Sequence, residues 1–187
     1  INMPRELEYK PLLYTTTIRN PERYKDFMHI LKRFDGEILN DRTVELFERD
    51  LFKVGLYRPM ILPDSVKHKW RSTKRGEFAD EPLTDTETAV IYELNDPNVN
   101  TELKGHKEAG YPKGWPSRFD TQFKLMKVLG FIYYEWEQPI VFSQTGHYLA
   151  DTVSISINEG VISREIVNPQ NEPVSYTHLR AHETGRN

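Results

Sequence analysis

The feature that most constrains this chain is a pair of amphipathic segments whose ends carry helix-capping residues. The first extends from Asn20-Pro21, suited to the cap and first turn of a helix, to Gly36. The second extends from Asn40 or Asp41 to Gly55, and a glycine after the last turn is a common helix stop. Apolar residues recur at helical spacing in both segments: Tyr24, Phe27, Ile30, Leu31 and Phe34, then Val44, Phe47, Leu51 and Val54. Because each helix must bury one face, a core of packed helices is predicted.

Further along the chain, a helix, a hairpin and a second helix are predicted to follow one another. The first helix begins at Pro116 and Ser117 and ends at Leu129, with Gly130 as its stop. Residues 131–134 and 139–142 read as paired strands, and Ser143 caps the last helix. This order is typical of a winged-helix unit, in which the helix before the hairpin enters the major groove of DNA.

Two other segments have weaker patterns. Residues 14–18 are β-branched and aromatic, which favours a short strand. Residues 85–94 are predicted to form a helix capped by Thr84, whereas 59–82 and 96–114 are read as irregular.

The helix before the hairpin separates into two faces when it is projected at 100° per residue. One face is apolar and consists of Phe119, Phe123, Met126 and Leu129. The other carries Ser117, Asp120, Thr121, Lys124 and Lys127, with Arg118 at the edge. Hydroxyl and basic groups can contact DNA phosphates and base edges. An ordinary solvated helix face is the alternative, and on spacing alone it is the commoner explanation.

Composition limits the class of protein without identifying it. The 187 residues carry a formal net charge of −3, contain no cysteine and are 12% aromatic. These values favour a globular domain and exclude disulfides and cysteine-type zinc sites. No apolar run is long enough to cross a bilayer and no signal peptide is recognised, so a cytoplasmic location is expected.

The basic residues outside that helix fall in two groups. The denser group surrounds Trp70 and comprises Lys67, Lys69, Arg71, Lys74 and Arg75. Facing DNA, it would supply attraction to phosphates, and a solvated loop is an equal alternative. The second group comprises Arg19, Arg23 and Lys25 at the start of the first helix, where free N–H groups also favour phosphate. Ordinary surface charge is the alternative there.

Two stretches resemble the AlwI family of type IIS restriction endonucleases. One covers residues 15–24 (TTTIRNPERY) and continues into 34–38 (FDGEI). The stronger covers residues 106–121, ending in GWPSRFDT, and continues through 129–133 (LGFIY). The resemblance spans about residues 14–149. It implies a modular enzyme, in which an N-terminal region recognises an asymmetric DNA site and a C-terminal PD-(D/E)xK domain hydrolyses the phosphodiester with Mg²⁺.

The nuclease centre is expected outside the matching stretches. Such a centre needs carboxylates for Mg²⁺ and a lysine to help activate water. The nearest string is Asp96, Glu102 and Lys104, but its neighbours are mostly polar, unlike those of a buried catalytic strand. A polar loop is the preferred reading, so no catalytic or metal-binding residue is predicted within this chain. The centre is placed beyond Pro173.

The last residues resemble translated sequencing adapter. Residues 174–184 (VSYTHLRAHET) match an in-frame translation of a transposase-type adapter at every position, and 185–187 would be index sequence. His178, His182 and Glu183 have a spacing suited to a metal site, but they are excluded on this reading. The chain is therefore expected to be a fragment.

Together these observations predict an α+β, mainly helical region that binds double-stranded DNA as a monomer. Residues 1–60 would form a helical subdomain, 61–114 an irregular connection with one helix, 115–173 a winged-helix-like subdomain and 174–187 the adapter-derived tail. A non-enzymatic winged-helix regulator or adaptor is the alternative. The predicted DNA-binding residues are Arg19, Arg23, Lys67, Lys69, Arg71, Lys74, Arg75, Ser117, Arg118, Thr121 and Lys124.

Overall fold

The computed structural model describes residues 22–70, 78–79, 81–96 and 115–167. Within these ranges the chain is α+β and mainly helical, as predicted. The helices are α1 (Glu22–Leu31), α2 (Asp41–Val54), α3 (Asp85–Asn95), α4 (Trp115–Val128) and α5 (Gln144–Ala150). The strands are β1 (Ile132–Tyr133), β2 (Val141–Phe142), β3 (Val153–Asn158) and β4 (Val161–Ile166), and short 3₁₀ turns occur at Lys32–Phe34 and Lys67–Trp70. No helix in the described ranges has the length and apolar character needed to cross a membrane.

The predicted caps explain where the described helices begin and end. The Asn40 side chain accepts a hydrogen bond from the Thr43 N–H at 3.0 Å, and Gly55 ends α2 with a left-handed φ of 79°. Thr84 forms a reciprocal capping box with Glu87 at the start of α3. Ser143 accepts a hydrogen bond from the Gly146 N–H at 3.0 Å in α5. These helix starts and the α2 stop are confirmed.

The N-terminal predictions fall partly beyond the described ranges. The cap at Asn20-Pro21 and the strand at residues 14–18 lie outside them. The first helix does not run unbroken to Gly36. It changes to a 3₁₀ turn at Lys32–Phe34 before Gly36 reverses the chain with a φ of 86°.

An aromatic core joins α1, α2, α4 and the first hairpin. The Phe47 ring lies 5.5 Å from the Phe119 ring and 5.3 Å from the Phe123 ring, measured between centroids. Phe119 also packs edge-on against Tyr134, and Phe27 meets Phe123 from α1. All five rings are buried, so α4 is seated on the first two helices by its apolar face.

The first hairpin is tied to the connection between α1 and α2. Ile38 forms an isolated antiparallel bridge with Pro139, which precedes β2. The Gly36 N–H donates to the Ile140 carbonyl at 2.7 Å, and the Ile140 N–H donates to the Glu37 carbonyl at 2.9 Å. β1 and β2 pair in register, with Ile132 opposite Phe142. A segment about 100 residues earlier in the chain therefore acts as a short third strand.

A second hairpin, β3–β4, was not predicted. Its strands pair along six residues, and the turn places Glu159 and Gly160 at positive φ, the geometry of a tight two-residue turn. The side of the hairpin that bears Val153 and Ile155 packs towards α1. The hairpin is anchored on α1 by an ion pair between Arg164 and Asp26 at 2.6 Å. The strict Val/Ile–Ser alternation of residues 153–157 was the available sequence signal.

Candidate nucleic-acid interface

The outward side of α4 carries a stripe of three described side chains, Thr121, Lys124 and Val128. Lys124 is exposed, Val128 is 66% exposed and Thr121 is partly buried. On the opposite side the predicted apolar residues Phe119, Phe123 and Met126 are at most 3% exposed. We call these three outward residues the α4 stripe. The backbone places Ser117 one turn before Thr121 along the same side.

Two residues of α4 depart from the predicted division into faces. Leu129 was assigned to the apolar face but is 54% exposed, because α4 ends at Val128 and Gly130 turns the chain with a φ of 73°. Gln122, which was not assigned, is fully buried. It lies one turn from Phe119 and Met126, so helical spacing required it to face inward.

Two further charged residues of α4, Asp120 and Lys127, are engaged by the first hairpin. Asp120 accepts a hydrogen bond from the Tyr134 hydroxyl at 2.9 Å. Lys127 donates to the Tyr134 carbonyl at 2.8 Å and pairs with Glu135 at 2.5 Å. Lys124 makes no ion pair with any residue of the described ranges, so its ammonium is available to an external anion.

The predicted DNA-binding residues of α1 and of the basic cluster have varied surroundings. Arg23 donates to the Leu56 carbonyl and lies over the Phe27 ring, which ties α1 to the end of α2. Lys69 is only 13% exposed and pairs with Glu87 at 3.1 Å. Lys67 is exposed and pairs with Asp64.

The structure therefore brings Arg118, Thr121 and Lys124 together on one helix, along with the backbone of Ser117. Arg23, Lys67 and Lys69 belong to other elements and have partners within the protein. Arg19, Arg71, Lys74 and Arg75 lie outside the described residues.

A polar cluster with two buried and two half-buried members underlies the N-terminal half of α4. It consists of Glu48 from α2, Tyr57 from the segment after α2, and Arg118 and Gln122 from α4. Glu48 and Gln122 are completely buried, and neither side chain has a hydrogen bond at close range within the described part of the chain. Sequence reasoning missed this cluster. Glu48 lies four residues after Val44 and three before Leu51, so helical spacing could have shown that it shares their buried face.

Burial dominates the acid–base properties of this cluster. Loss of solvation raises the pKa of Glu48 to about 8, against the opposing effects of the Arg118 guanidinium and the nearby Gln122 amide. Burial also raises the pKa of Tyr57, and Arg118 acts in the opposite direction. Glu48 is therefore largely a neutral carboxylic acid at pH 7.

Replacing Glu48 with glutamine is expected to make stability less dependent on pH. A carboxyl group whose folded-state pKa lies above its unfolded value destabilises the fold as pH rises between the two values. Because the pKa of Glu48 is about 8, the wild type should lose up to about 4 kcal/mol of unfolding free energy relative to the variant between pH 5 and pH 9. Urea unfolding at several pH values measures this gap, with the exposed Glu93→Gln as control. If the difference in unfolding free energy between the variant and the wild type does not change with pH, the raised pKa of Glu48 is contradicted.

Within the described ranges, no group of three or more His, Asp or Glu side chains is arranged to hold a metal ion. Asp96 ends α3, and its N–H donates to the Glu93 carbonyl. Glu102 and Lys104, the other members of the predicted D-x5-E-x-K string, lie outside the described residues, as do residues 174–187.

Comparison of the chain with protein-family models, with curated proteins and with solved structures found no match.

Proposed function

We propose that this region binds duplex DNA through α4, as the DNA-recognition part of a type IIS restriction endonuclease. The observation that carries the proposal is the α4 stripe. Thr121 and Lys124 face outward from a helix whose opposite side is seated on the aromatic core. The Thr121 hydroxyl, together with the exposed Lys124 ammonium, which makes no ion pair within the described residues, suits phosphates and base edges in the major groove.

The elements around α4 support a winged-helix arrangement. Such units combine a helical core with a short strand after the first helix and a hairpin after the recognition helix. Here α1 is followed by the bridge at Ile38, which pairs beside β2, and α4 leads directly into β1 and β2. In this reading α3 and the segments around it are an insertion between α2 and α4. The hairpin supports α4 through Lys127, Tyr134 and Glu135.

The enzymatic part of the proposal rests on the resemblance of residues 15–24 and 106–121 to the AlwI family. In the intact enzyme, a Mg²⁺-dependent nuclease domain beyond Pro173 would cut at a position set by this region. A regulator with the same helix and hairpin would bind a palindromic site as a dimer. A footprint on DNA selected from a random duplex library therefore distinguishes an asymmetric monomer site from a palindrome.

Lys124→Ala is expected to weaken binding to the selected duplex about tenfold, because one charge-assisted contact is lost. If Lys124 contacts phosphate, the slope of log affinity against log salt should also fall by about 1. Fluorescence anisotropy across a salt series measures both quantities. Arg42→Ala is a matched control, since that side chain is 65% exposed and paired with Glu45 on α2. Equal affinity and slope for Lys124→Ala and wild type would remove α4 as the DNA-binding element.

A further inference from the structure

Arg118 occupies a different position from the residues of the α4 stripe. It lies on the flank of the helix, and its guanidinium reaches towards the segment after α2. Its Nη2 lies 3.6 Å from the Met60 Sδ, and its charge acts on both the Tyr57 hydroxyl and the Glu48 carboxyl. The Nη1 atom is buried. The guanidinium is thus half-buried, with one nitrogen enclosed and the other beside the exposed Met60 side chain in the segment after α2.

Lys127 plays the corresponding role at the other end of α4. Its ammonium contacts the Tyr134 carbonyl and Glu135 and lies 4.7 Å from the Tyr134 ring centre. Arg118 therefore links the first half of α4 to the segment after α2, and Lys127 holds the second half against the hairpin. Together these two side chains fix the orientation of α4, and with it the direction in which the α4 stripe points.

We propose that Arg118 is a positioning residue of the DNA-binding surface, which fixes the direction of the α4 stripe through Tyr57 and Met60 and does not itself contact DNA. This inference rests on the proposed function. It assigns direct contact with the duplex to Thr121 and Lys124. A positioning error of an ångström in a recognition helix affects every contact that the helix makes, so its loss should weaken binding at all base positions alike.

The test compares Arg118→Ala with Tyr57→Phe by fluorescence anisotropy on the selected duplex, at a temperature where circular dichroism shows each protein to be folded. Arg118→Ala should bind about tenfold more weakly, with the salt slope unchanged and equal losses at every base position of the site. Tyr57→Phe should weaken binding about threefold, again with an unchanged slope, because it removes only the hydroxyl that faces Arg118. Lys124→Ala is the comparison for a direct contact.

Any one of five results would overturn the inference. A salt slope reduced by about 1 in Arg118→Ala, or relaxed selectivity at one base position, would make Arg118 a direct contact. Unchanged affinity of folded Arg118→Ala would leave it a purely structural residue. If Arg118→Ala does not fold, Tyr57→Phe takes its place in the test. Wild-type affinity in Tyr57→Phe would then leave Arg118 a purely structural residue. Failure of the unaltered chain to bind any duplex overturns the proposed function as well, whereas the other results overturn this inference alone.

Discussion

Replacing Gly146 with alanine is expected to destabilise the protein by about 3 kcal/mol, although glycine is normally the poorer residue within a helix. A Cβ at this position would lie 1.9 Å from the Phe131 carbonyl oxygen and 2.9 Å from its carbon. The same oxygen accepts hydrogen bonds from the Ser143 N–H and hydroxyl at 3.0 and 3.1 Å. Because these contacts are to backbone, the clash is relieved only by moving α5 away from the chain before β1. The gain of about 1 kcal/mol from helix propensity is too small to offset that movement.

Urea unfolding monitored by circular dichroism measures the effect, with Thr145→Ala as the matched control. Thr145 is the exposed neighbour of Gly146 in α5, so its replacement tests helix propensity without the clash. The control should lie within about 0.5 kcal/mol of the wild type. If Gly146→Ala is as stable as the control, the close approach of α5 to Phe131 is not a feature of the folded protein.

Removing Arg164 is expected to cost about 3 kcal/mol at pH 7, because Asp26 would remain as a buried carboxylate without its cation. Asp26 is 5% exposed and pairs with the Arg164 Nε at 2.6 Å. Burial raises the pKa of Asp26, and Arg164 counteracts the increase. In Arg164→Ala the pKa should rise further. The stability loss should therefore be larger at pH 7 than at pH 4, where protonation of Asp26 relieves it.

Exposed ion pairs provide the contrast. Arg33 is 62% exposed and pairs with Asp50, so Arg33→Ala should change stability by less than about 1 kcal/mol. Replacing both members of the buried pair, Asp26→Leu with Arg164→Leu, should recover part of the loss at pH 7, since no buried charge is left without a partner. A loss in Arg164→Ala that is equal at pH 4 and pH 7 would show that Asp26 is not the source of the penalty.

The helices were predictable because their signals are local. Asn40 and Gly55 fixed the ends of α2, Thr84 fixed the start of α3, and the apolar spacing of α4 identified the side that is buried. The β3–β4 hairpin was also signalled locally, by alternation and by the Glu159-Gly160 turn, but the predicted unit ended with α5. Local rules cannot say which side of such a hairpin meets α1.

The candidate site was predictable only in part. Helical projection identified Thr121 and Lys124 as outward residues, because position on a helix depends on sequence spacing alone. It could not show that Arg118 reaches the segment after α2, since Tyr57 and Met60 lie about 60 residues earlier in the chain. The partners of Lys69 and Arg23 are likewise distant in sequence. Charge counts therefore could not show that Lys69 and Arg23 have partners within the protein.

The bridge between Ile38 and Pro139 has a consequence for how this protein folds. The Phe142 N–H also donates to the Asp35 side chain, so several contacts close a loop of about 100 residues. α1 and α2 can form early, but their connection lacks its strand partners until the β1–β2 hairpin has been synthesised. Contacts so distant in sequence slow folding relative to a local helical bundle. During synthesis, the first two helices would leave the ribosome with an incomplete core and finish folding only after residue 142 has emerged.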